Sequence, residues 1–500
     1  PLTIFKNIYS TILLIFSAVC IHGLMFTEQT GLSDSQSPIV ACIVFWAAII
    51  WLAMIEGGQA SHVGLAPVDE HLYKTSHPVA YMCAASCNKG DNLNRYLLGR
   101  QFGVIFVVFC VNLSGGPIKD AKLWDLPDIV IQIFFGSGAA MILFTCMVGQ
   151  LNTQVNASIC MLDFVNNYFS LFTYWGCMIV EFTGFVHFSY VIQYMIAAMA
   201  GQPTKSKEGP KSGLAFLAFW IKALFSFVLL GASLTVTMAA LFEGKTTMWD
   251  AVPKVWSVVL FFGLMSVVGM LEGMQIAFFA MAKMSEEERG NNSWALRTCD
   301  ILYNRRNGMN LPGFMIGRQL CVVSCFFIVA RVATQNVTAE QENVLGIPDE
   351  VQSFLNLGFQ GALITTILGS ITWQLVADQF PIAFLSTPIT YILLRICLFL
   401  EGTGICNGAW VLAAIHARIA GFQRDEVYIG TAEERRARGR KDDSQREIAI
   451  AALSGFAGIN LPGFSSNAPK SLRELADTDP EVAQDINTLE NKGAAPSSQP

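Results

Sequence analysis

The sequence predicts an all-α polytopic membrane protein of about ten transmembrane helices, built as two five-helix inverted repeats with a short cytoplasmic C-terminal tail. Two observations point there. The 500 residues are 53% hydrophobic and only 14% charged, and the apolar residues fall in blocks of about twenty, the length that spans a bilayer core as a helix. Second, E-G-x-Q occurs twice, as Glu56-Gly57-Gly58-Gln59 and Glu272-Gly273-Met274-Gln275. Each copy is followed about forty residues later by G-R-Q, as Gly99-Arg100-Gln101 and Gly317-Arg318-Gln319.

Ten spans are expected, at about 7–27, 38–60, 99–117, 128–150, 166–200, 213–242, 255–282, 316–334, 352–376 and 384–417. The fifth and tenth runs are long for one crossing, which suggests strong tilt or extension beyond the bilayer. The first run is long for a signal peptide and further spans follow at once, so it reads as a first transmembrane helix. The chain starts at Pro1 rather than Met, so further residues are expected before it. Polar loops join spans two and three (62–98) and spans seven and eight (283–315). A Pro-, Lys- and Gly-rich linker at 201–212 separates a first repeat (1–200) from a second (213–418). Residues 419–500 form a soluble tail with a charged run at 433–441. Its end is low in complexity and reads as disordered.

The halves align by more than one motif. Glu56 and Glu272 are 216 residues apart, and Arg100 and Arg318 are 218 apart. Gly149 and Gln154 meet Gly369 and Gln374 at an offset of 220, as do Glu181-Phe182-Thr183-Gly184 and Glu401-Gly402-Thr403-Gly404, and Asp163 and Asp378 fall near each other in this register. A nearly constant offset in a conserved order reads as an internal duplication. Five spans per half would set the second copy upside down, the plan of many secondary transporters. Basic residues fall in both polar loops, so the positive-inside rule cannot satisfy both. The tail, with Arg435, Arg436, Arg438, Arg440 and Lys441, shares a face with the first loop, and that face is assigned to the cytoplasm.

The repeated charges suggest the chemistry. Acid, base and amide inside a membrane are costly and ask for a functional reason. Glu and Gln three residues apart share a helix face. Arg and Gln adjacent to one another reach a common cavity if a helix begins at G-R-Q. Gln donates and accepts, which suits a hydroxylated ligand. The candidate substrate-binding set is Glu56, Gln59, Arg100, Gln101, Glu272, Gln275, Arg318 and Gln319. The competing reading pairs Glu56 with Arg100, and Glu272 with Arg318, as helix-pinning ion pairs. Asp163, Asp378, Glu181 and Glu401 are the remaining intramembrane carboxylates and the candidates for ion coupling. For each singly, hydrogen bonding to backbone or Tyr is the plainer role.

Other classes find little support. No basic stripe with interleaved aromatics suggests nucleic acid. The 13 Cys form no C-x-x-C pair, so no zinc site or disulfide framework is indicated. The six His show no metal-ligand spacing. No nucleophile–base pair supports a membrane enzyme, and the tail is too short to be an attractive sensor output.

E-G-x-Q followed by G-R-Q, once in each five-span half, resembles the eukaryotic silicic acid (silicon) transporters of diatoms and related silicifying algae. The resemblance covers residues 1–420, and Cys160-Met161-Leu162-Asp163 is similar to a C-M-L-D motif of some members. Many members carry Lys before G-R-Q, where this chain has Leu98 and Ile316. The resemblance implies a ten-helix fold and Na⁺-coupled symport of silicic acid, Si(OH)₄, with Na⁺ as coupling ion and no other cofactor. The alternative is a passive channel or transporter for another small neutral hydroxylated solute such as boric acid. The expected setting is the plasma membrane or a silica-deposition or other intracellular vesicle, with lipid as partner and homo-oligomers compatible with the sequence.

Overall fold

A computed structural model of the chain describes residues 2–430, apart from 34–35, 67, 119, 200, 202–205, 207, 210, 283–290, 305–309, 336 and 338–340. The charged run and the rest of the expected tail from residue 431 lie outside the described residues, as do half of the linker and part of the second polar loop.

The described chain is helical. The first half contains α1 (Leu2–Phe26), α2 (Pro38–Leu65), α3 (Pro78–Cys87), α4 (Asn92–Gly115), α5 (Asp128–Gly136), α6 (Ala139–Ile159), α7 (Met161–Val165), α8 (Tyr168–Thr183) and α9 (Phe188–Met199). The second half repeats the order with α10 (Gly213–Glu243), α11 (Lys254–Ala282), α12 (Ser293–Cys299), α13 (Asn310–Ala333), α14 (Asp349–Asn356), α15 (Phe359–Gln379), α16 (Pro381–Leu385), α17 (Pro388–Thr403) and α18 (Gly408–Ala420). A final turn, α19 (Glu426–Ile429), follows. Seven helices are long and apolar enough to cross a membrane, and ten spans result if each of three bent pairs is one crossing. The chain is an integral, multi-pass membrane protein.

The correspondence between halves extends to backbone detail. π-helical turns interrupt α6 at Thr145–Leu151 and α15 at Thr365–Ile371. Such turns hold one extra residue per hydrogen-bonded ring and often occur at functional sites. Cys160 and Phe380 share a non-helical conformation between α6 and α7, and between α15 and α16 (φ −126°, ψ 55° and φ −131°, ψ 61°).

The long fifth and tenth runs are broken helices. α8 meets α9 at 71° and α17 meets α18 at 68°. Each first arm ends at a left-handed glycine, Gly184 (φ 94°) and Gly404 (φ 75°), a conformation that L side chains resist. A broken helix exposes carbonyls that the bilayer cannot satisfy. The first helix of the opposite half satisfies them. On α1, Lys6 donates to the Gly402 carbonyl, Tyr9 to Thr403 O (2.5 Å) and Ser10 to Ile405 O (2.5 Å), while the Gly408 N–H donates back to Ser10 Oγ (2.7 Å). On α10, Ser226 donates to Phe185 O (2.6 Å) and Lys222 lies over the Phe182 ring at 3.9 Å. Lys6 and Ser10 thus match Lys222 and Ser226, and the two halves clasp each other.

The motifs lie inside helices rather than at their mouths. α4 begins at Asn92 and α13 at Asn310, so both G-R-Q sequences sit about two turns in. α2 and α11 likewise run past E-G-x-Q to Leu65 and Ala282. Polar residues in the first turns of α4 (Asn92, Asn94, Arg95) disguise the helix as loop in the sequence. α4 and α13 pack on each other, and each also packs on the π turn of the opposite half.

Candidate functional site

Each half builds the same cluster from three helices. In the first, α4 carries Arg100, whose guanidinium donates to Glu56 Oε2 on α2 at 2.7 Å and to Gln101 Oε1 at 2.8 Å. Gln154 on α6 donates to the same Glu56 oxygen at 3.0 Å. In the second, Arg318 on α13 donates to Glu272 Oε1 on α11 at 3.0 Å and to Gln319 Oε1 at 2.7 Å, and Gln374 on α15 donates to Glu272 Oε2 at 2.9 Å. Arg and Gln are neighbours on a regular helix, yet they meet because the long Arg side chain folds back onto the adjacent amide.

One cross-half contact joins the clusters. Gln319 Nε2 donates to Gln150 Oε1 at 2.7 Å, and Gln150 Nε2 reaches Glu56 Oε1 at 3.5 Å. Gln150 sits on the π turn of α6. Glu56, Arg100, Gln101, Glu272, Arg318 and Gln319 are each between 3% and 6% exposed, whereas Gln154 and Gln374 at the edge of the network are half-buried. Each carboxylate has its guanidinium, so the assembly carries two balanced pairs and no net charge. Buried ion pairs need their remaining donors satisfied. The Nε atoms of Arg100 and Arg318 are both buried without a partner, so each cluster retains one unpaired donor. A cavity of about 10 Å³, room for one water, lies between α4, α6 and α13 beside Asn112, Thr145 and Phe327.

Gln59 and Gln275 stand outside this network. Gln59 is half-buried and Gln275 is buried, and neither amide makes a hydrogen bond among the described residues. The four other carboxylates are dispersed. Asp163 on α7 pairs with His77 Nε2 at 3.0 Å and accepts from the Gln423 N–H at 2.6 Å and the Tyr428 hydroxyl at 3.3 Å, which docks the segment after α18 onto α7. Asp425 adds a second tie by accepting from the Leu162 N–H at 3.0 Å. Asp378 is exposed near the end of α15, a different element from α7, so it is not the positional counterpart of Asp163. Glu181 and Glu401 are true counterparts at the two helix breaks. Glu181 accepts from Tyr190 at 3.1 Å and lies 3.7 Å from His187, and Glu401 lies beside Gly313 of α13.

Gln154, Gln374 and Gln150 join the cluster without having been singled out for it. The 220-residue register already pairs Gln154 with Gln374, but that spacing marks a repeat and not a contact. Gln150 faces Ser370 in the same register, so a search for repeated polar residues passes over it.

Comparison with known proteins returns no curated protein and no solved structure that matches the chain. The family model described as silicon transporter matches residues 1–498. Mirrored glutamate–arginine–glutamine clusters in a helical chain of seven to ten candidate spans, matched over nearly its whole length by that model, make this protein a member of the silicon transporter family.

Proposed function

We propose that the chain carries silicic acid across a membrane together with Na⁺, holding Si(OH)₄ between its two halves with Glu56, Gln59, Arg100, Gln101, Glu272, Gln275, Arg318 and Gln319. The observation that carries this reading is the pair of charge-balanced clusters meeting at Gln319 and Gln150. A neutral tetrahedral hydroxide needs donors and acceptors on several sides and no net countercharge. Amides, carboxylates and guanidiniums from both halves supply them. With each bent pair taken as one crossing, each half has five spans and the halves take opposite orientations in the membrane, with access alternating around a site at the repeat interface.

Silicic acid is mostly uncharged at neutral pH, so voltage cannot concentrate it directly. One cotransported cation gains about 2.3 kcal/mol per 100 mV. At ~1.4 kcal/mol per tenfold, that supports roughly fortyfold accumulation before any Na⁺ chemical gradient is added. Glu181 and Glu401 are favoured as coupling carboxylates, because irregular backbone at helix breaks commonly supplies cation ligands. Asp163 and Asp378 are the weaker candidates, since the oxygens of Asp163 already serve His77, Gln423 and Tyr428.

Uptake of silicon or germanium-68 in a heterologous host, with and without external Na⁺, tests this directly. Concentrative uptake that stops when Na⁺ is replaced is the expected result. Equilibration without accumulation, indifferent to Na⁺, would support the passive alternative and remove the symport reading.

A further inference from the structure

Gln150 is the one member of the buried network whose counterpart differs in kind. The amide orientations around it follow from chemistry. A guanidinium only donates, so Arg318 fixes the Gln319 oxygen toward itself (2.7 Å) and turns the Gln319 N–H₂ away. That group donates to Gln150 Oε1 at 2.7 Å, which leaves Gln150 Nε2 facing Glu56 Oε1 at 3.5 Å. A relay of donors thus runs from Arg318 in one half to Glu56 in the other. In the opposite half Arg100 fixes Gln101 in the same way at 2.8 Å. There the position of Gln150 is taken by Ser370, whose short side chain accepts only from Gln374 Nε2, at 3.4 Å, among the described residues. The Gln101 N–H₂, on a residue 3% exposed, makes no hydrogen bond among the described residues. The relay is closed on one side and open on the other.

The Gln150 amide accepts from Gln319 and donates toward Glu56. A ligand hydroxyl in its place would do the same. We propose that Gln150 is an internal stand-in for one hydroxyl of the substrate: it latches the Gln319 half-site until Si(OH)₄ displaces it, whereas Gln101, beside Ser370, is open to first contact. The proposal rests on the reading of the cluster as a silicic acid site. It makes the two half-sites unequal despite their common design and makes Gln150 a competitor of the substrate rather than a support for it. The Nε atoms of Arg100 and Arg318 leave one unpartnered donor in each half-site.

Kinetics of germanium-68 or silicon uptake by the full chain, corrected for protein at the membrane, test the latch with two variants. Gln150→Ser copies the open half-site into the closed one. It is expected to lower KM about two- to tenfold, the span of one neutral hydrogen bond, with the effect in KM rather than kcat. Ser370→Gln builds a second latch and is expected to raise KM by a similar factor. A KM that stays constant or rises in Gln150→Ser overturns the proposal, because a supporting residue would behave that way. If Gln150→Ser fails to reach the membrane, an unchanged KM in Ser370→Gln overturns it independently. Wild-type protein that takes up neither silicon nor germanium removes the transport reading itself, whereas wild-type uptake with unmoved KM values removes only the latch.

Discussion

Gly99 lies directly against the carbonyl of Cys177, so a β-carbon at this position would overlap the oxygen. Gly317 has the same relation to Cys397. The first residue of each G-R-Q is therefore a packing requirement: it lets α4 approach α8, and α13 approach α17, until backbones touch. Gly57 and Gly273 in the E-G-x-Q motifs play the same part against the rings of Phe164 and Phe384. Gly99→Ala and Gly317→Ala are expected to be poorly tolerated, since overpacking costs about 1–3 kcal/mol even where side chains can give way, and a backbone carbonyl gives way less. Size-exclusion monitoring of detergent-solubilised protein with a thermal ramp reads this. Wild-type thermal stability in both variants would refute the close approach.

The long membrane helices were readable because apolar runs of bilayer length leave few other structures. The helix breaks were not. Gly184 and Gly404 are visible in the sequence, but a glycine inside an apolar run can equally continue a helix. The residues that permit the break, Lys6, Ser10, Lys222 and Ser226, lie in other helices. Two of the four sequence elements of the site, Glu and Arg, were readable as charge partners, since an intramembrane charge demands one. The amides Gln150, Gln154 and Gln374 depend on the π turns that aim them, and composition does not announce a π turn. The assignment of G-R-Q to a helix mouth failed because Asn and Arg in the first turns of α4 look like loop residues in a membrane chain.

Four of the six repeated glutamines form two groups with different expected phenotypes. Gln154 and Gln374 donate to the carboxylates at 3.0 Å and 2.9 Å. A hydrogen bond to a charged group is worth about 1.5–3 kcal/mol, so Gln154→Ala and Gln374→Ala are expected to lower thermal stability by comparable amounts. Gln59 and Gln275 make no such bond among the described residues. Gln59→Ala and Gln275→Ala are expected to leave stability unchanged while raising KM for silicic acid about two- to tenfold, as the loss of a bond of about 0.5–1.5 kcal/mol implies. Unaltered KM in both would remove them from the binding set.

Asp163 distinguishes an anchor from an ion ligand. Its oxygens hold the Gln423 N–H at 2.6 Å and His77 at 3.0 Å. Asp163→Asn weakens both by removing the charge. The expected outcome is release of the segment after α18, read as faster tryptic cleavage after Arg424, with the Na⁺ concentration for half-maximal uptake unchanged. A tenfold shift in that concentration without faster cleavage would instead make Asp163 part of the coupling site.

Orientation has its own test. Lys74 and Arg297 are exposed in the two polar connections between E-G-x-Q and G-R-Q. Lys74→Cys and Arg297→Cys, each in a background cleared of reactive cysteines, are expected to react with an impermeant maleimide from opposite sides of the membrane. Labelling of both from one side would exclude the inverted arrangement.

The Glu56–Arg100 pair separates a binding role from a helix clamp. Removing either partner leaves the other charge buried, at a cost of about 3–5 kcal/mol, so single substitutions are expected to lose protein under both readings. The informative variant is the exchange, Glu56→Arg with Arg100→Glu. The new pair can re-form between α2 and α4, and both Gln101 and Gln154 can rotate their amides to present oxygen or nitrogen as the reversed charges require. Folding is therefore expected to recover in part, limited by the different reach of the two side chains. Transport is expected to remain absent. The reversed pair would offer a guanidinium where Gln150 meets a carboxylate oxygen at 3.5 Å, so a hydroxyl that should donate there would find only donors. Surface expression with no uptake is the predicted result. Full uptake in the exchanged protein would reduce Glu56 and Arg100 to a clamp between helices.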